Sequence, residues 1–321
     1  MIAVAVSIFV TAPAISAQGG IVGAAVVGQS PVAVAINPVV GQAFVLNKGS
    51  KDVSVLDLKS RSVVTKYLVG GLPEGIAVNP QTNAVVVVSL DSTATVIDHA
   101  AGRIAGVIPV GKAPSRVAID TEKNAALITN FNGSNMVVLD LAGRRVVRTI
   151  ELKSGPLGIA VLEGKRRALV ACQYDMEILQ VDLDKGEVDQ SLVVGRYLND
   201  VAVDPVTGNG VVGNPSSNGM LSIYDSGANR VVSTVPVGHG PLSVAVYPRR
   251  NVALAAEFDS GSLSIVDMAT GTVIRSVKVG KGPRGIAVNP QTGIAVVVNM
   301  LEDKAVFLDL DTLLGTPAAN P

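Results

Sequence analysis

Bulky apolar residues alternate with alanine in a three-residue phrase that returns seven times along the chain. The copies are Val34-Ala35-Ile36, Ile76-Ala77-Val78, Val117-Ala118-Ile119, Ile159-Ala160-Val161, Val201-Ala202-Val203, Val244-Ala245-Val246 and Ile286-Ala287-Val288, spaced 41–43 residues apart. A bulky, small, bulky order has period two, so Val or Ile points to one face of a strand and Ala to the other. Further apolar runs follow each phrase. In the sixth unit these are Val252 to Ala256, Leu263 to Asp267 and Val273 to Val279, separated by turns rich in Gly, Pro, Asn and Asp. A period of this length holding four short strands is the signature of a propeller blade, and seven blades close a ring. The expected fold is all-β: a seven-bladed β-propeller of four-stranded antiparallel blades. Near its axis the bulky face of each innermost strand should nest against the small face of a neighbouring sheet.

The two ends of the chain complement each other. Gly20-Ile21-Val22-Gly23-Ala24-Ala25-Val26-Val27-Gly28 reads like the stretch from Gly102 to Gly111 that closes the second unit, whereas the last unit stops after Val306-Phe307-Leu308-Asp309. Residues 20–27 are therefore expected to complete the final blade and remove the open edges of an unclosed ring. The apolar run Ile2 to Val10, followed by small residues before Gln18, resembles an export signal, although it lacks a basic start. This gives residues 1–17 as a signal peptide, 18–315 as a single propeller domain and 316–321 as a tail, with a periplasmic or secreted location. The leader is too short to span a bilayer, and no span is expected in the mature chain.

Composition narrows the partners less than the pattern narrows the fold. The 321 residues are 48% hydrophobic and 16% charged, with 26 basic against 26 acidic side chains, so net charge favours no partner class. Aromatics are 3% and Trp is absent, which leaves the core to Val, Ile, Leu and Ala and few platforms for stacking nucleic-acid bases. The single cysteine, Cys172, excludes an internal disulfide and a cysteine-based metal cluster. It stands where other units carry Asn and has no basic sequence neighbour, so it reads as a small buried residue.

Phrases such as Val279-Gly280-Lys281-Gly282-Pro283-Arg284-Gly285-Ile286-Ala287-Val288-Asn289-Pro290 closely match the linker of the YVTN-type β-propeller proteins. The tetrad itself is degenerate here, as Val45-Leu46-Asn47, Ile128-Thr129-Asn130 and Val297-Val298-Asn299. The resemblance covers about residues 20–312 and implies an exported propeller. Such proteins have roles from nucleic-acid or surface binding to uncharacterised ones, and related propellers serve as subunits of redox enzymes. Fold alone does not carry chemistry.

Seven aspartates end the third strands, Asp57, Asp98, Asp140, Asp182, Asp225, Asp267 and Asp309. Their repeated place before a turn points to side-chain to backbone bonds rather than to a metal, and the strand-ending Asn47, Asn130, Asn214 and Asn299 read the same way. Interblade linkers and the loops between second and third strands should open on one face. That mouth gathers Lys112, Arg116, Lys153, Arg196, His239, Lys281 and Arg284, opposed by Asp91, Asp175, Glu177, Glu257, Asp259, Glu302 and Asp303. Two readings stay open, a mixed solvated rim and an anion-binding mouth.

Local breaks in the template mark candidate sites. Blade five reads Arg196-Tyr197-Leu198-Asn199-Asp200, losing the linker proline and placing Asp200 where Gly75, Gly158 and Gly285 stand; Arg116 fills the same slot in blade three. With Tyr174 and Asp175 these form the leading candidate site, the alternative being an internal Arg–Asp contact. His99 and His239 fall on opposite faces and read as surface histidines. No catalytic motif is present. The leading expectation is a non-catalytic binding or scaffold protein, a monomer with no cofactor, presenting one loop face to a protein, a surface polymer or a small anion. An enzyme or redox-enzyme subunit with a cofactor or metal in the channel is the alternative, and a nucleic-acid binder comes third.

Overall fold

The computed structural model describes residues 19–216 and 218–315; the stretches read as export signal (1–17) and tail (316–321) lie outside them. Among the described residues, 28 strands form seven four-stranded antiparallel sheets. Blade one runs outward from Pro31–Asn37 through Gln42–Asn47 and Asp52–Asp57 to Ser62–Leu68. Blades two to six repeat this order from the innermost strands Pro73–Val78, Pro114–Asp120, Pro156–Leu162, Val201–Val203 and Pro241–Tyr247. Blade seven has Pro283–Val288, Ile294–Asn299 and Lys304–Asp309, and its outermost strand is Ile21–Val26. Val26 faces Lys304 and Ala24 faces Val306 in an antiparallel ladder, so the chain's first described strand closes the ring as its sequence implied. No helix among the described residues is long and apolar enough to cross a membrane.

The alternation along the inner strands sets the packing between blades. Val34 and Ile36 of blade one share a hydrophobic cluster with Ala287 of blade seven. Ile159 and Val161 do the same with Ala118, and Val201 and Val203 with Ala160. The four remaining junctions follow the rule, each bulky pair meeting the alanine of the preceding blade. Second strands supply most of the fully buried side chains, such as Phe44, Leu127 and Ile128, because they lie between sheets on both faces.

All seven strand-ending aspartates fix turns. Asp57 accepts from the Ser60 N–H at 2.6 Å, Asp182 from Asp184 and Lys185 at 3.0 and 2.9 Å, and Asp267 from Ala269 and Thr270 at 2.8 and 3.0 Å. Asp98, Asp140 and Asp225 repeat the bond, and Asp309 uses it to cap the short helix Leu310–Leu314. Three of the four asparagines hold linkers: Asn130 donates to the Val110 carbonyl at 2.8 Å, Asn299 to Val279 at 2.7 Å and Asn214 to Arg196 at 3.4 Å, whereas Asn47 bonds Asp52 and Ser54 within its own blade.

Because Ala245 is buried against Ile286 and Val288, Ala245→Leu is expected to overpack that junction and cost about 1–3 kcal/mol. Urea unfolding of the variant beside the parent chain checks this; an unchanged midpoint would mean that the alanine face carries slack.

Candidate functional site

At one end of the axis, each innermost strand contributes one residue from an equivalent slot: Ala33, Gly75, Arg116, Gly158, Asp200, Ser243 and Gly285 in blade order. All but Gly158 line a cavity of about 120 Å³, together with Val32, Arg284 and bulky residues of the inner strands. In six blades the ladder slips just after its opening proline. Such bulges lift a residue out of the ladder and re-aim its side chain. Glu74, Ser115 and Arg284 are residues of this kind.

The slot glycines are required by their neighbours. A Cβ on Gly75 would stand 2.8 Å from the Ser115 carbonyl oxygen, one on Gly158 2.8 Å from Cα of Asp200, and one on Gly285 2.9 Å from Cα of Ala33. Each glycine thus yields room to a side-chain-bearing residue in the next blade. Glycine and non-glycine cannot alternate perfectly around an odd ring, and the misfit falls where Asp200 and Ser243 follow one another. They are joined by a bond: Ser243 Oγ donates to Asp200 Oδ2 at 2.9 Å, and the Val244 N–H donates to the same oxygen at 3.1 Å. The Val201 N–H reaches Asp200 Oδ1 at 3.1 Å.

The opposite side of the mouth is cationic. Arg284 Nη2 donates to Glu74 Oε1 at 2.6 Å, and Lys48 pairs with Glu74 Oε2. Burial alone would raise the Glu74 carboxyl, but the Lys48 hydrogen bond and the charges of Arg284, Arg116 and Lys48 outweigh it and hold it below the usual value. Arg116 forms no ion pair with Asp200; its Nη1 donates to the Ser115 carbonyl at 3.1 Å. Arg284 Nε is buried without a hydrogen-bond partner. Three cations (Lys48, Arg116 and Arg284) therefore stand against two carboxylates, Glu74 and Asp200, leaving one positive charge in excess at the mouth.

Of the residues picked out from sequence, Arg116, Asp200 and Arg284 meet in this cavity. Tyr174 and Asp175 do not line it. Tyr174 packs beside Phe131, ring centroids 5.2 Å apart, and Asp175 accepts from the Ser154 N–H. Lys153 pairs with Glu177. Arg196 and Tyr197 are exposed, and Asn199 ties the linker through backbone bonds to Gly213 and Gly158. His239 is exposed and its N–H donates to Ser260 Oγ, whereas Lys281 lines a separate open groove of about 460 Å³ with Lys278, Phe258 and Leu301. Loop acids mostly hold linkers in place: Glu257 accepts from the Gly238 N–H, Glu302 from Lys281, and Asp303 from Ser30.

Sequence reasoning missed Lys48, Glu74 and Ser243. A legible signal existed for Glu74, since it holds the repeat position that Arg284 holds in blade seven, and opposite charges at one template position suggest a pair.

Two expectations resolve away from the mouth. His99 is not a surface histidine: it is half-buried, edge-on to Phe44 and Tyr67, with Nδ1 bonded to Tyr67 Oη at 2.8 Å and Nε2 to Gln42 Oε1 at 2.9 Å. Cys172 is buried as expected, its thiol pushed up to about 12 by burial, then by the Asp175 charge. At the far end of the ring lies a cleft of about 440 Å³ between blades three and four, where Arg166 binds Asp120 at 2.7 Å and Asp184 at 3.0 Å and Arg148 donates to the Leu183 and Asp184 carbonyls. No three His, Cys, Asp or Glu among the described residues are grouped so that they could hold a metal ion.

No family model and no curated protein matches the chain. Among solved structures, it is similar to hydrazine synthase of Kuenenia stuttgartiensis, at TM-score 0.80 and 15% identity over 94% of this chain and 99% of that one. Likeness at that identity establishes the fold, a seven-bladed β-propeller, and no chemistry.

Burial lowers the His99 pKa below its usual value, so the folded state holds the neutral ring more tightly than the unfolded chain does. Its contribution is full above the unfolded pKa of about 6.5 and is lost as pH falls toward the folded value. The stability advantage of the parent chain over His99→Gln should therefore shrink from pH 7 to pH 5, as thermal melts of the pair would show; a constant gap would mean that burial does not shift the ring.

Proposed function

We propose that this chain is a non-catalytic binding propeller of the YVTN type, working outside the cytoplasm, whose axial mouth captures a small anion. One observation carries the reading: two guanidinium groups, Arg116 and Arg284, line the same narrow cavity, and neither has its donors used up. Arg116 lacks a carboxylate partner, and Arg284 keeps a buried Nε with no acceptor. A buried donor left unpaired costs about 1–3 kcal/mol, a cost that a bound anion would remove. The excess charge is local, so a chain of zero net charge still presents an attractive field at this mouth. The likeness to hydrazine synthase leaves an enzyme-subunit reading available, but no side-chain constellation at this mouth favours it.

Arg116→Ala tests the reading, because losing a charge-assisted bond worth about 1.5–3 kcal/mol should weaken anion binding by about 10- to 100-fold. The variant's melting temperature should stay close to the parent's, since Arg116 makes no direct ion pair with an acid. Calorimetric titration with inorganic phosphate reads the affinity. Unchanged binding would remove Arg116 from the site, and no binding by the parent chain to phosphate or sulfate would sink the anion reading.

A further inference from the structure

We propose that the anion held at this mouth carries its own proton, as hydrogen phosphate does, and that Asp200 reads that proton. The inference rests on the anion-binding reading above and adds the ligand's chemical class.

Size gives the first guide. A cavity of about 120 Å³ is several times the ~10–15 Å³ that one water needs, so an inorganic oxyanion fits whole.

The distribution of donors and acceptors gives the second. Arg116 and Arg284, from blades three and seven, bring donors only. Asp200, from blade five, brings acceptors only. An ionised carboxylate offers about four lone-pair sites, and three are taken here by Ser243 Oγ–H, Val244 N–H and Val201 N–H. One acceptor direction on Asp200 remains. The Ser243 hydroxyl hydrogen is already committed to Asp200, so that residue too can only accept from a ligand.

A fully deprotonated oxyanion such as sulfate meets the arginines well but turns lone pairs toward the Asp200 carboxylate. Like charges placed face to face cost several kcal/mol and act as a filter against the wrong partner. A hydrogen phosphate ion presents an O–H to the same oxygen and satisfies both sides of the cavity. No proton needs to change hands for this discrimination.

The test compares sodium phosphate with sodium sulfate at pH 7 and equal ionic strength, by calorimetric titration of the purified chain and its Asp200→Asn variant. Phosphate is expected to bind the parent about 100-fold more tightly than sulfate. In Asp200→Asn the side-chain oxygen can keep the bonds from Ser243 and Val244, while the introduced amide donates where the carboxylate accepted. The two anions should then bind within about threefold of one another, chiefly through a gain for sulfate. Equal affinities in the parent, or a phosphate preference that survives in the variant, would overturn the Asp200 assignment and leave the anion site standing. Absence of binding by either anion to the parent would remove both. Thermal melts establish that the variant is folded. Should it fail to fold, the parent's selectivity alone still decides, because sulfate binding as tightly as phosphate contradicts the proposal.

Discussion

The nesting of Val and Ile against the alanine face of the preceding blade sets how closely seven sheets can converge. Each inner strand has one thick and one thin face, and every junction pairs thick with thin. Dispersion and burial favour that contact, and close packing leaves little slack to redistribute around a ring. The narrow axial cavity is a consequence. So is the demand for glycine at Gly75, Gly158 and Gly285, where a neighbour's backbone presses within the reach of a Cβ. A looser barrel of the same blades would have a wider channel and no such restriction on its slots.

Charge at the mouth follows from how the loops are tied. Glu257, Glu302, Asp303 and Asp175 spend acceptor capacity on linker N–H groups, which fixes the spacing of the blades and keeps these acids at the linkers. Glu74 is the carboxylate brought up to the mouth's cations, and it is outnumbered. Arg284 of blade seven and Lys48 of blade one both converge on it, so this cluster also bridges three consecutive blades. The pair with Lys48 and Arg284 leaves Arg116 as a charge without an acidic partner.

Much of the architecture was legible because the repeat states it seven times. Strand period, turn residues, ring closure by residues 20–27 and the turn-fixing aspartates could each be checked against sister copies in the same chain. The site was legible only where the template breaks. Arg116 and Asp200 show as departures at a glycine slot, and Arg284 lies in a linker rich in basic residues. Tyr174 and Asp175 belong to loops of the same face, yet they lie with Phe131 and Ser154. Sequence position gives the face of a blade but not the radius from the axis, and it is the radius that separates cavity from rim. His99 was a different case, because the repeat itself marked the position: the residue after the strand-ending aspartate is buried in the other six blades, as Leu58, Leu141, Leu183, Ser226, Met268 and Leu310, and Tyr67 and Gln42 of the neighbouring blade supply the polar partners that an imidazole needs there.

Blade five illustrates why an odd ring needs one irregular member. Slots alternate between glycine and a larger residue from blade seven round to blade five, and then the alternation must fail once. Two apolar residues at that place would crowd each other with nothing to fix their geometry. An acid followed by a hydroxyl converts the crowding into a hydrogen bond, and the Val244 N–H joins it. The same blade has a shortened innermost strand, Val201–Val203, against six or seven residues elsewhere. Leu198, standing where other linkers carry proline, is fully buried in the cluster shared by blades four and five, and its burial offsets the weaker pairing of the shortened ladder. Closure of a seven-membered ring thus accounts for an irregular blade, and the chemistry chosen to resolve it places a carboxylate at the axis facing two arginines.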